Sequence, residues 1–132
     1  MSNPRVVVIT GAAGGVGRAM MAEFAGRGDL LIGVDVAQSG LIEAVRALGD
    51  QHFAFECDLS DEANILALFS QIDGVVDHVD VLLNNAAVGP TMQPTLETDM
   101  AGFQKAIRTN LYGPFVLARE AVKRMPESGG AI

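Results

Sequence analysis

Between Arg5 and Met20 the sequence RVVVITGAAGGVGRAM carries an apolar run into a glycine-rich turn and then into a helical pattern. Residues so placed can hold an anion. One glycine must allow positive φ for a tight turn, another must let the backbone approach a pyrophosphate, and a third must let helix and strand pack closely. N–H groups at the helix start, together with its dipole, then favour phosphate. Gly11, Gly14, Gly15 and Gly17 supply these positions, and their place between a predicted strand and helix gives the turn its weight.

A carboxylate that could complete such a site stands 18 residues after Gly17, at Asp35. At a strand end it can accept hydrogen bonds from a ribose 2′- and 3′-hydroxyl pair, and it repels a 2′-phosphate. No Arg or Lys lies between Gly11 and Gly17 or just after Asp35. NAD is therefore favoured over NADP. Read without a ligand, Asp35 is an ordinary strand-end turn residue. Asp58 has two readings on spacing alone, adenine contact or a turn carboxylate before Ser60. His52 and His78 have no partner at metal-ligand spacing, so no metal site is expected. Cys57 has no His or basic residue near it in sequence and reads as a small buried hydrophobe.

These residues need a frame, and the chain supplies alternating short β-branched runs and longer helical patterns. Strands are expected at Arg5–Thr10, Leu30–Val36, Gln51–Cys57 and Val79–Asn84. Helices are expected at Val16–Arg27, Ser39–Leu48 with a cap near Ser39, and Asp61–Ile72 with Ser60 as N-cap. The loop from Gly89 to Thr98 carries Pro90 and Pro94. A long amphipathic helix then runs from about Asp99 to Met125, with Phe103, Ile107, Leu111, Phe115, Ala118 and Val122 recurring every three or four residues. Crossovers of this length imply parallel strands and right-handed βαβ units. The fold class is α/β, a Rossmann-like doubly wound parallel sheet in a single domain over 1–132. Ala131-Ile132, after Gly129-Gly130, reads as the entry of a fifth strand, so the sheet is expected to be cut short after its fourth.

Composition narrows the function. The chain has 132 residues, 49% hydrophobic and 19% charged, which suits a packed interior. A net charge of −7 argues against nucleic acid or an anionic membrane as partner. The single cysteine cannot form an internal disulfide, which fits a reducing cytoplasm. The apolar run Val6–Ile9 is too short for a signal segment, and no stretch reaches the ~18 apolar residues of a spanning helix.

Taken together, four motifs resemble those of the short-chain dehydrogenases/reductases. Thr10-Gly11-Ala12-Ala13-Gly14-Gly15-Val16-Gly17 matches the family's TGxxxGxG fingerprint. Asn84-Asn85-Ala86-Ala87 resembles its NNAG motif, with Ala87 in place of the glycine. Cys57-Asp58-Leu59 looks like its adenine-contacting pair, and Asn110 falls on its catalytic asparagine. The resemblance implies that Gly11, Ala13, Gly15, Val16 and Gly17 line the pyrophosphate and neighbouring ribose. By the same resemblance Asp35 binds the adenosine ribose, Asp58 and Leu59 meet the adenine, and Asn85 and Ala86 flank the nicotinamide side. It implies an oxidoreductase moving a hydride between an alcohol and a carbonyl, oligomeric through the long helix.

The family's serine and its Tyr-x-x-x-Lys fall past Ile132, so the 132 residues alone are expected to be inactive. Tyr112 has no lysine four residues later and reads as packing. Pro114 has no N–H to give the Asn110 carbonyl, which predicts a kink at Gly113-Pro114 that leaves this carbonyl free for a proton-relay water. The alternative from another class is a non-catalytic nucleotide-binding or assembly module. A methyltransferase shares the glycine turn and the strand-end acid, but gives no reason for NNA or Asn110.

Overall fold

The computed structural model of the protein describes residues 3–89 and 93–132. Pro90 of the expected proline-bearing loop lies outside them. Four strands, β1 (Val6–Thr10), β2 (Leu30–Asp35), β3 (Phe53–Glu56) and β4 (Val81–Leu83), form one sheet in the order β3-β2-β1-β4. All neighbours are parallel, with Val7 opposite both Leu31 and Val81. β1 is apolar on both faces because both faces are covered. Val7, Ile9 and Leu31 pack with Met21 of α1 (Gly15–Gly26) and Leu41 and Val45 of α2 (Leu41–Arg46). Val8, Ile32 and Leu82 pack on the other face with Ile65, Leu68 and Phe69 of α3 (Glu62–Asp73) and Leu117 of α5 (Gly113–Val122). This is the expected doubly wound sheet. Ala131 pairs in parallel with Val81, where the sequence places the entry of a further strand.

Two expected caps are corrected. Helix α2 starts after Gly40, at φ 82° and with no side-chain cap, and the Ser39 hydroxyl has no hydrogen-bond partner. Helix α3 is capped by Asp61, whose carboxylate accepts the Ala63 N–H. Ser60 cannot serve there because its N–H and hydroxyl both turn back to Asp58 Oδ1, at 3.0 and 2.7 Å. A short Asx turn has won over the cap.

The long helix is also built differently from the expectation. It comprises α4 (Met100–Ile107), a π-helical segment over Arg108–Tyr112, and α5. Asp99 caps it by accepting the Gly102 N–H. Where a kink at Gly113-Pro114 was predicted, the turn before it widens, and the Gly113 N–H reaches the Arg108 carbonyl five residues back. Pro114 still offers nothing to the Asn110 carbonyl. The apolar stripe also lies elsewhere than a core face requires. Phe103, Leu111, Phe115 and Val122 are exposed, while Thr109, Gly113, Val116, Leu117, Glu120 and Ala121 are buried. Gly113 explains the close approach: a Cβ there would stand 2.7 Å from the Leu59 carbonyl.

The residues just before the strands are polar and paired. Arg5 grips the buried Asp29 with two hydrogen bonds of 3.0 and 2.8 Å. The Val6 N–H donates to Asp80, which also meets His78. Both histidines are hydrogen-bonded. Buried His52 accepts the Leu31 N–H at 3.1 Å through Nδ1, so an imidazole extends the edge of the β2–β3 ladder by one bond. Among the described residues no helix is long and apolar enough to cross a membrane.

Candidate functional site

A cavity of about 620 Å³ opens at the C-terminal ends of the strands, the end at which open α/β sheets place their ligands. Its floor comes from the glycine-rich turn, its sides from the ends of β2 and β3 and the loop after β4, and its far wall from α4 and the π segment.

The turn is held by steric demands that differ at each glycine. Gly11 sits at φ 64°, and a Cβ there would come within 2.9 Å of both Ala86 Cα and Asn85 Nδ2. Gly17 admits no Cβ at all, because it would overlap the Gly11 carbonyl, so helix and turn touch backbone to backbone. Gly15 is the opposite case, lining the cavity with nothing within 4 Å of its would-be Cβ. Helix α1 has no side-chain cap, and Arg18 is the first residue whose N–H finds a helical acceptor, the Gly14 carbonyl. The N–H groups of Gly15, Val16 and Gly17 therefore have no acceptor within the helix, and all three residues line the cavity.

Asp35 reaches the cavity from the end of β2. Its Oδ2 accepts the Ala13 N–H at 2.9 Å and its Oδ1 accepts the Val36 N–H at 2.7 Å. A carboxylate oxygen has two lone pairs, so each oxygen keeps capacity for a hydroxyl donor. Asp58 lines the cavity beyond β3, and the Ser60 N–H and then its hydroxyl hold the Asp58 carboxyl below the ordinary carboxylate range. Only Oδ1 is used in that turn, leaving Oδ2 to face a ligand. Beside it Cys57 is buried, and burial followed by the charges of Asp58 and Asp61 pushes its thiol up to about 11. Such a thiol stays protonated and unreactive.

Thr10 ties the turn to the loop after β4. Its hydroxyl accepts the N–H groups of Asn85 and Ala86 at 3.1 and 3.0 Å, and itself donates to the Leu83 carbonyl. The Asn85 amide closes the link by donating to the carbonyls of Thr10 and Gly11. Asn110 anchors the other end of that loop. Its side chain both accepts the Val88 N–H at 2.8 Å and donates to the Val88 carbonyl at 2.7 Å, a two-point match that imitates a strand pair.

Of the residues singled out from sequence, Gly11, Gly15, Val16, Gly17, Asp35, Asp58, Leu59, Asn85 and Ala86 all line this one cavity. Ala13 does not line it. Its N–H goes to Asp35 and its carbonyl accepts the Arg18 guanidinium at 2.7 Å, which places it in the frame behind the turn. The Asn110 side chain is spent on Val88. Sequence reasoning missed Thr10 as the link between two loops, and Val36, Lys105 and Thr109 as wall residues. Lys105 and Thr109 stand four apart on one helix face, a spacing that the nearby Asn110 could have drawn attention to.

A family model described as short chain dehydrogenase matches residues 5–132. The chain is 43% identical over 128 residues to an uncharacterized short-chain type dehydrogenase/reductase of Sinorhizobium fredii, covering 97% of this chain and 23% of that protein. It is 30% identical over 129 residues to D-threitol dehydrogenase of Mycolicibacterium smegmatis, covering 96% of this chain and 49% of that one. Among solved structures, 3-ketoacyl-(acyl-carrier-protein) reductase from Brucella melitensis complexed with NADH is similar, with a TM-score of 0.85 and 28% identity. That match covers 91% of this chain and 49% of the other. The chain spans half or less of the length of these three relatives.

Proposed function

The chain belongs to the short-chain dehydrogenase family, a family of oxidoreductases, and on that premise we propose that it holds NAD for hydride transfer between an alcohol and a carbonyl. The observation that carries the cofactor reading is Gly15, where open space adjoins three helix N–H groups without helical acceptors in a cavity that also contains Asp35. The residues present fit a dinucleotide. Backbone N–H groups of Gly15, Val16 and Gly17 take the pyrophosphate, with the α1 dipole favouring its charge. Asp35 takes the adenosine ribose hydroxyls, Asp58 Oδ2 and Leu59 take the adenine, and Asn85 and Ala86 flank the nicotinamide side. The nicotinamide, when bound, supplies the hydride chemistry.

NAD is favoured over NADP because Asp35 would stand against a 2′-phosphate. Arg18, which could have welcomed it, lies outside the cavity wall and points at the Ala13 carbonyl. The Asn110 carbonyl, to which Pro114 offers no N–H, would hold a water in a proton path. In this reading residues 5–132 contribute the cofactor cradle. The exposed apolar residues of α4, the π-helical segment and α5, Phe103, Leu111, Phe115 and Val122, support homo-oligomerisation through that helix. The substrate is a small alcohol or carbonyl compound, and the single cysteine, which cannot form an internal disulfide, suits the cytoplasm.

Titration of the chain with NADH and NADPH, read by nicotinamide fluorescence, tests this reading. NADH is expected to bind roughly tenfold or more tightly than NADPH, since like charges set against each other are costly. Equal or tighter binding of NADPH refutes the NAD assignment, and binding of neither refutes the cradle.

A further inference from the structure

Asp35 has a second partner besides any ribose. Its Oδ2 accepts the Ala13 N–H, 22 residues earlier in the chain, at 2.9 Å. Ala12, next to it, donates its N–H to the Val34 carbonyl at 3.1 Å, and the Ala13 carbonyl accepts from Arg18 at 2.7 Å. The turn thus leans on the end of β2 through two successive N–H groups, one taken by backbone and one by a side chain.

We infer that Asp35 is a positioning residue for the glycine-rich turn, so that one carboxylate both discriminates the cofactor and sets the phosphate cradle. Ala13 contributes only a half-buried methyl group packed beside the core, and Gly14 and Gly15 after it have no side chains at all. Gly11 at φ 64° begins a segment in which Ala12 is buried in the core, and from Ala13 to Gly15 the backbone leans mainly on what its polar groups find. Without the Asp35 carboxylate the Ala13 N–H loses its acceptor, and the peptide units that direct Gly15, Val16 and Gly17 at the phosphates lose a support. Changing residue 35 to favour a 2′-phosphate therefore has a cost at the pyrophosphate, unless the new side chain also accepts from Ala13.

The inference rests on the cradle reading, and the test separates the two. Inorganic pyrophosphate, which has no ribose, is titrated into the wild type, Asp35→Asn and Asp35→Ala. Asparagine keeps an acceptor for Ala13 but loses the charge; alanine loses both. Were Asp35 only a ribose reader, both variants would bind pyrophosphate alike and at least as well as wild type, because one repelling charge is gone. If it positions the turn, Asp35→Asn binds at least as well as wild type and Asp35→Ala binds about five- to tenfold more weakly than Asp35→Asn, the scale of one lost hydrogen bond. In parallel, amide exchange of Ala13 in the ligand-free chain is read as a ratio to Val8 in the same sample, which cancels any global loss of stability. The ratio rises in Asp35→Ala and stays near wild type in Asp35→Asn. Equal pyrophosphate affinity in the two variants, or an unchanged exchange ratio in Asp35→Ala, overturns the inference. If the wild type binds neither NADH nor pyrophosphate, the cradle reading falls, and the exchange ratio alone still decides the positioning role.

Discussion

Where the strands begin, each is preceded by a titratable side chain whose bonds are already made: Arg5 before β1, Asp29 before β2, His52 before β3 and Asp80 before β4. Where they end, polar capacity is left open, in the N–H groups of Gly15, Val16 and Gly17, in the second lone pairs of the Asp35 oxygens and in Asp58 Oδ2. One end spends its hydrogen bonds on the fold, and the other, though tied together by Thr10, Asn85 and Asn110, keeps part of its capacity for a ligand. The difference shows why a parallel sheet with aligned strands need not bind at both ends. Stability and binding can be changed nearly independently as long as a substitution stays at its own end.

The sharpest challenge to that separation is Gly17, which belongs to the reserved end yet is clamped against the Gly11 carbonyl. Gly17→Val should cost about 3 kcal/mol or more of stability and abolish NADH binding, because overpacking here meets backbone that cannot move aside. Gly15→Val, two residues away in open space, should leave the urea midpoint nearly unchanged while blocking NADH. If both variants unfold alike, the turn is not divided as described. A smaller effect is expected at Gly113, where a methyl group would press on the Leu59 carbonyl at 2.7 Å. Gly113→Ala should lose about 1–3 kcal/mol by chemical denaturation, and weaken NADH binding only through displacement of Leu59.

At the opposite end, Asp80→Ala removes the acceptor of the Val6 N–H and should cost about 1–2 kcal/mol with no change in cofactor affinity. A matching loss of affinity would break the comparison. The smallest effects come from the histidines, and they have opposite signs. Burial lowers the His52 pKa, so its contribution is present above about pH 6.5 and is lost as pH falls through the lowered folded value. The bond to Asp77 comes first among the causes that raise the His78 pKa. Its contribution is therefore present below about pH 6.5 and is lost as pH rises through the raised value. Urea midpoints of His52→Ala and His78→Ala against wild type, from pH 5 to 8.5, should show the first gap closing in acid and the second closing in base.

Much of this was legible from residue order. An apolar run before glycines, an acid after the next run and an NNA triplet after the fourth are local signals, and the structure brings them to one cavity. What was not legible depended on competition between neighbours. Ser60 and Asp61 are both good caps, and only the distance to Asp58 decides that Ser60 turns back. The stripe from Phe103 to Val122 has helical spacing, yet so do Thr109, Gly113, Val116, Leu117 and Glu120. Which face turns inward is settled by small Gly113 fitting against Leu59, a tertiary fact. His52 could not be read as a ladder acceptor until Leu31 was placed beside it.

The widened turn at Arg108–Tyr112 also has a rotational meaning. In a regular helix each residue advances the azimuth by about 100°, so one residue accommodated in a wide turn resets the angle of everything that follows. Lys105 and Thr109 can therefore look into the cavity while Val116, Leu117 and Ala121 look into the core, although a uniform helix would not serve both directions at this spacing. Deleting a single residue between Arg108 and Tyr112 should therefore give a regular helix with α4 and α5 facing as they do now, whereas making the wide turn regular without a deletion would swing the buried face of α5 by about 100°.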